Sequence, residues 1–248
     1  MFRPSDASSG CRMPKTVVID CFPESAARYV DDHVIVAVDV IRATTTATTA
    51  VALGRRCFPV PSLEAALPLA ARLDNPLLVG ELGGNMPYGF DLTNSPAALA
   101  AWADVSRPMI LLSTSGTKLI TDARASQAVY IGSLRGHSAL AEHLAGEHER
   151  IAVIGAGTRG EFREEDQLCC AWIAEHLLQH GYEPERSDTE RLVERWSGSP
   201  PDVIGVSNSA DYLRQTGQTE DLDFILAHVD DLSDVFRLEG KEIVKLTA

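Results

Sequence analysis

The chain lacks the features that would place it in a membrane or on a nucleic acid. No apolar run approaches the roughly 20 residues that a membrane-spanning helix needs. No Lys/Arg run is present, and the formal net charge is -13. A chain this acidic repels a phosphodiester backbone, so neither a membrane nor a nucleic-acid partner is expected. There are five cysteines, Cys11, Cys21, Cys57, Cys169 and Cys170, an odd number with no CxxC pair. Free thiols in a cytoplasmic protein are therefore expected, rather than a disulfide framework or a zinc site. The histidines His137, His143, His148, His176, His180 and His228 lie mostly in helices or loops and read as solvated or helix-terminal rather than as metal ligands. The first 13 residues, MFRPSDASSGCRM, have no apolar stretch of the secretory kind and read as a disordered leader.

What is there is an alternation. Short β-branched runs at 16–22, 34–41, 56–60, 77–81, 109–114, 128–132 and 151–155 read as strands. Several are continuously apolar, as in strands covered on both faces. Between and after them, amphipathic stretches at 44–53, 62–73, 96–103, 117–123, 136–147, 164–180, 188–196, 207–215 and 220–228 read as helices. This predicts an α/β protein, a three-layer α/β/α sandwich with a largely parallel or mixed sheet. One domain over 14–248 is expected, with a helical C-terminal part from about 188 after the polar connection 181–190.

In open α/β sheets, ligands bind where strands end and helices begin. Four such junctions carry unusual residues. In VAVDVIRATTTATTA (36–50), a strand delivers Asp39, then Arg42, then Thr44, Thr45 and Thr46 at a helix start. Hydroxyls and free N–H groups at a helix N-terminus suit an oxyanion, and an arginine can clamp it. A capping threonine with a salt-bridged arginine would explain part of this pattern, but not three threonines beside a strand-end aspartate. In VGELGGNMPYGFDLTNSP (79–96), Glu81 ends a strand and a long loop carries Asn94 and Ser95, with Met86, Tyr88, Phe90 and Leu92 expected to pack it down. Ser95 followed by Pro96 also reads as a helix cap. In ILLSTSGTKLI (110–120), Thr114, Ser115, Gly116 and Thr117 lie between a strand and a helix. That turn is common, so an ordinary turn and an anion site are equally good readings of it.

The fourth junction, IAVIGAGTRGEFREEDQLCCAW (151–172), holds G-x-G-x-x-G at Gly155, Gly157 and Gly160. A dinucleotide site would need a second strand ending in an acid about 20 residues further on. The sequence there is GYEPERSDTE, and Glu161, Glu164, Glu165 and Asp166 follow the glycines at once. Acids in a first helical turn suit the dipole, which accounts for Glu164 and Glu165. Asp166 shares a helix face with Cys169, Cys170, Ile173 and Leu177, and a carboxylate on a core-facing stripe wants a partner. Asp39, Glu81, Glu161 and Asp166 are hard oxygen donors, which points to Mg2+, with Mn2+ the alternative.

Together, DVIRATTT (39–46), GELGG…P.GFDLTNSP (80–96), TSGT (114–117) and GAG..G.F..ED..CA (155–171) resemble the signature blocks of the 2-phosphosulfolactate phosphatase (ComB) family, in the family's order, over roughly residues 15 to 230. The resemblance implies an α/β/α fold and Mg2+-dependent hydrolysis of 2-phospho-3-sulfolactate to 3-sulfolactate and phosphate, a step of coenzyme M biosynthesis. The residues themselves suggest Asp39, Arg42, Glu81 and Asp166 as catalytic, with the ion held among Asp39, Glu81, Glu161 and Asp166. The substrate, a small phosphorylated anion, is expected to meet Thr44, Thr45, Thr46, Asn94, Ser95, Thr114, Ser115, Gly116, Thr117 and Arg159, with Lys118 a further donor. The D-x-D motif of phospho-aspartyl phosphatases is broken, because Ile41 stands two residues after Asp39. Direct attack by water with a carboxylate base is therefore expected. Two alternatives are a phosphatase for another phosphorylated hydroxy acid and a non-catalytic binder of phosphorylated metabolites. A homodimer is the expected assembly.

Overall fold

A computed structural model of the chain describes residues 14–157 and 160–246. The leader expected over 1–13 and Arg159 lie outside the described residues. All seven predicted strands form: β1 (Thr16–Asp20), β2 (Val34–Val38), β3 (Cys57–Val60), β4 (Leu77–Gly80), β5 (Met109–Leu112), β6 (Val129–Gly132) and β7 (Arg150–Gly155). So do the helices: α1 (Ala43–Ala52), α2 (Leu63–Ala70), α3 (Pro96–Ala101), α4 (Gly116–Asp122), α5 (His137–Glu147), α6 (Glu164–Gln179), α7 (Ser187–Trp196), α8 (Asn208–Gln215) and α9 (Thr219–Ala227). Three further strands were not predicted. The polar connection 181–190 contributes β8 (Glu183–Pro184), and the chain returns to the sheet as a hairpin of β9 (Val235–Glu239) and β10 (Glu242–Leu246). Cys21, Cys57, Cys169 and Cys170 are free thiols.

The ten strands form one mixed sheet in the order β4-β5-β3-β10-β9-β6-β2-β7-β1-β8. β2 shows why the apolar runs are continuous. Val34, Val36 and Val38 pack into one core with α5, α6 and α7, while Ile35 and Ala37 pack into another with α1, α3 and α4. Successive side chains point to opposite faces, so a strand with helices on both sides needs apolar residues at every position. Each buried Val or Ile contributes about 1.5–3 kcal/mol relative to exposure.

The hairpin divides the sheet. β6, β9, β10 and β3 are joined by three successive antiparallel pairings, so β3, β5 and β4 run opposite to β6, β2, β7 and β1. The hairpin meets each block at a single residue pair, Tyr130 with Arg237 and Ile243 with Cys57. Such short ladders resist bending less than the four- and five-pair ladders inside the blocks. Residues that follow β2 and β7, from one block, and β4 and β5, from the other, nevertheless line one common cleft.

Helix α1 sits between the blocks and is buried along nearly its whole length despite five threonines. Most of their hydroxyls bond back to the chain: Thr44 to the Asp39 carbonyl, Thr45 to Val40, Thr48 to Thr44 and Thr49 to Thr45. This self-satisfaction lets β-branched polar residues form a buried helix.

Candidate active site

The cleft has a volume of about 290 Å³. One wall carries Asp39 after β2, Ala156 after β7, and Arg163 and Asp166 at the start of α6; the other carries Glu81, Asn94, Thr114 and Ser115. Helix α8 supplies a third side through Asn208, Ser209 and Tyr212.

Asp39 and Asp166 are both buried. Glycines make their placement possible. A Cβ on Gly116 would lie 2.2 Å from Asp39 Oδ2, and one on Gly155 would lie 3.1 Å from the Asp166 Cβ. Asp166 Oδ1 accepts from the Val40 N–H at 2.7 Å. Burial pushes the Asp39 carboxyl up to about 7; the Ala43 N–H opposes this, while Glu81 and Glu165 add to it by repulsion. Asp166 is pushed well above the carboxylate range by burial, and further by Asp39 and Glu165, against the Val40 and Ala156 N–H groups. Glu165 is also raised, by burial, with Ser209, Ser207 and Arg163 favouring its charged form. It is 1% exposed, and neither carboxylate oxygen makes a hydrogen bond of normal geometry. Asp39 and Asp166, which line the cleft, and the nearby Glu165 thus repel one another.

Glu81 is different. Its carboxylate accepts from the Thr114 N–H (2.6 Å), the Thr114 hydroxyl (2.9 Å) and the Gly84 N–H (2.7 Å). It fastens the loop after β4 to the loop after β5. The long loop is held elsewhere by Asp91, which accepts from the Leu78 N–H, and by Leu92, which bridges to Val79. Phe90 and Leu92 pack as expected, but Tyr88 is fully exposed and Met86 half-exposed, so neither holds the loop down.

Arg42 lines the cleft, yet Nη1 already donates to Asp221 (2.5 Å) and Gln218 (2.6 Å). Its other guanidinium nitrogens make no hydrogen bond among the described residues. Asn94 is 2% exposed, lines the cleft, and has an Oδ1 without a hydrogen-bond partner among the described residues. Thr114 and Ser115 also line it.

Several expected contacts are not made. The Thr44 and Thr45 hydroxyls point back to strand-end carbonyls, and Thr46 is buried in α1 without lining the cleft. Ser95 caps α3 through the Ala98 N–H and donates to Asp221. Thr117 exchanges hydrogen bonds with Ser113. Gly116 acts through its lack of a side chain, and exposed Glu161 lies away from the cleft. Lys118 pairs with Asp122 on the surface. The glycine motif serves packing, since a Cβ on Gly157 would lie 2.3 Å from the Cys21 carbonyl oxygen.

Comparison with known proteins agrees with the four sequence blocks. The family model described as 2-phosphosulpholactate phosphatase matches residues 21–241. The chain belongs to that family. A protein of Thermus thermophilus named "Probable 2-phosphosulfolactate phosphatase" is 35% identical over 83% of this chain and 87% of its own length. Proteins of the same name from Deinococcus radiodurans and Symbiobacterium thermophilum are each 34% identical, covering 83% and 77% of this chain and 86% and 85% of their own lengths. The family's name describes a phosphoric monoester hydrolase.

A 2-phosphosulfolactate phosphatase cleft would have to seat a strongly anionic ester beside its own acids. Of the four carboxylates predicted to hold a cation, Glu161 is outside the cleft and Glu81 is already satisfied, which leaves Asp39 and Asp166. Among the described residues, no three His, Cys, Asp or Glu side chains converge as a ready metal cage. A magnesium ion, which keeps several waters and is usually held by one or two carboxylates plus substrate phosphate oxygens, would here be held by Asp39 and Asp166. The family member's site also draws on residues that sequence reasoning passed over. Glu165 reads in sequence as a helix-dipole acid, Arg163, Asn208, Ser209 and Asp221 sit at ordinary-looking helix starts, and Tyr212 lies within α8. Their one visible signal was the Ser-Asn-Ser cap at 207–209, where Ser207 accepts from the Ala210 N–H.

Proposed function

We propose that the protein hydrolyses 2-phospho-3-sulfolactate to 3-sulfolactate and phosphate in the cytoplasm, a reaction of the coenzyme M biosynthetic type, with Mg2+ as cofactor. The observation that carries this reading is the buried, mutually repelling pair Asp39 and Asp166, opposite an arginine with unused donors, in a family named for this ester. Asp39 and Asp166 would hold the ion, which supplies charge neutralisation for the phosphoryl group. The free N–H groups of Arg42 bind the phosphoryl oxygens, as charge-assisted donors do. The Asn94 side chain and the Thr114–Ser115 turn orient the ester. A carboxylate of the cleft accepts the proton of the attacking water. The contribution here is positioning and fixed charge.

The test is phosphate release from racemic phosphosulfolactate and a panel of phosphorylated hydroxy acids, with Mg2+ and with EDTA. Release from phosphosulfolactate that EDTA abolishes is the expected result. Release from a different ester alone reassigns the substrate. No release from any ester by folded protein with Mg2+ present leaves a binding protein and ends the enzymatic reading.

A further inference from the structure

Asp221 has no place in the proposed chemistry, yet few side chains in the molecule gather more of the cleft. It lies in the first turn of α9 and is 3% exposed. Its two oxygens serve different walls. Oδ2 accepts from Arg42 Nη1 at 2.5 Å, where the chain leaves β2 and enters α1. Oδ1 accepts from the Ser95 hydroxyl at 2.5 Å and the Ala97 N–H at 3.1 Å, where the long loop ends and α3 begins. Gln218, the residue before α9, adds a second acceptor to the same Arg42 nitrogen at 2.6 Å.

The cleft offers Arg42 other partners, because Asp39, Asp166 and Glu81 also line it. Nevertheless, the ion pair that forms is with Asp221, with both side chains 4% exposed. A guanidinium has five N–H donors in a rigid fork. Fixing Nη1 therefore fixes where the remaining donors point. An arginine left unanchored among three acids would fold onto one of them, losing itself as an anion clamp and the acid as a reactive group.

We propose that Asp221 is a positioning residue: it anchors Arg42 away from the cleft carboxylates, holds its free N–H groups toward the phosphoryl group, and makes α9 a required part of the site. This rests on the phosphatase reading only in that the anion is taken to be a phosphoryl group.

The test is a double-mutant cycle on the full chain. Orthophosphate affinity is measured by calorimetry, and kcat and KM for phosphosulfolactate by phosphate release, in wild type, Asp221→Asn, Arg42→Ala and the double variant. Asp221→Asn should weaken orthophosphate binding about tenfold and lower kcat on the order of 10–100-fold, the scale of a misplaced binding group. In the Arg42→Ala background the same change should cost less than about twofold, because coupled residues are not additive. Equal losses in both backgrounds, or no loss in the wild-type background, would overturn the proposal. Breaking a buried pair can unfold a protein. Should Asp221→Asn fail to fold, Gln218→Ala, which keeps the ion pair, should give a smaller loss that also vanishes without Arg42; a loss that persists without Arg42 overturns the proposal. If the wild type binds orthophosphate but releases none from any ester, the enzymatic reading falls and the binding cycle still decides Asp221. A wild type that does neither overturns both.

Discussion

The two walls of the cleft treat their acids in opposite ways. On the β4–β5 side, Glu81 receives three hydrogen bonds and is consumed in joining two loops. On the β2–β7 side, Asp39 and Asp166 are buried beside each other and Glu165, and share few donors. A satisfied carboxylate contributes to structure, and an under-satisfied one is a reservoir of binding energy for a cation or a proton. Both look alike in sequence, as acids at a strand–helix junction, and only the surrounding donors tell them apart.

Substitutions can break this contrast. The largest effect is expected at Asp166. Asp166→Asn should lower kcat/KM for phosphosulfolactate by at least about 100-fold while leaving the melting temperature unchanged or higher, since one repelling charge is gone. A variant with normal turnover would remove Asp166 from the chemistry. Gly116→Ala comes next. Its methyl would meet Asp39 Oδ2 at 2.2 Å and the Ala43 Cβ at 2.7 Å. The overpacking should cost about 1–3 kcal/mol in a denaturant melt, and the displaced carboxyl should reduce turnover by roughly ten- to a hundredfold. Glu81→Gln should show the reverse balance. A stability loss of about 1–3 kcal/mol is expected from its orphaned donors, with kcat within a factor of about ten of wild type. Abolished turnover at unchanged stability would show that the walls do not differ as described.

The last effect is one of pH. Asp39 rises from an ordinary 3.8 to about 7 in the fold. A carboxyl with a raised native pKa contributes stability below its unfolded value and loses it as pH rises through the native one. Without metal, the wild type should therefore lose stability relative to Asp39→Asn between about pH 4 and pH 7, followed as the difference in urea midpoints. Saturating Mg2+ should shrink that difference. A difference that stays flat across this window would mean that Asp39 is not desolvated as described.

Much of this was legible in the sequence, for physical reasons. Continuous apolar runs announced strands with two covered faces, and the face shared by Asp166 with Cys169, Cys170 and Ile173 marked a buried acid. The hairpin was missed because VFRLE and EIVKL are short and half-polar, although Gly240, at φ +59°, sits in their two-residue turn and is a recognisable signal. The threonine run reads in sequence as an anion cradle; in the fold the Thr44, Thr45, Thr48 and Thr49 hydroxyls bond carbonyls of the chain, and the Thr46 hydroxyl is buried with no partner among the described residues. Asp221 had no signal, because an acid in a first helical turn is commonplace and only tertiary packing brings it to Arg42.

The central hairpin also has a consequence for how the protein comes into being. The strands that join the two halves of the sheet are read from the message after every other strand described. Until residue 246 has left the ribosome, β3 and β6 each present an open edge, and Glu81 is held on a different piece from Asp39, Arg42 and Asp166. Open edges invite pairing with neighbouring chains, and contacts spanning as much of the sequence as Cys57 with Ile243 form late. A nascent chain of this protein therefore carries all its reactive groups but no cleft, and chaperones have most to protect just before synthesis reaches that point.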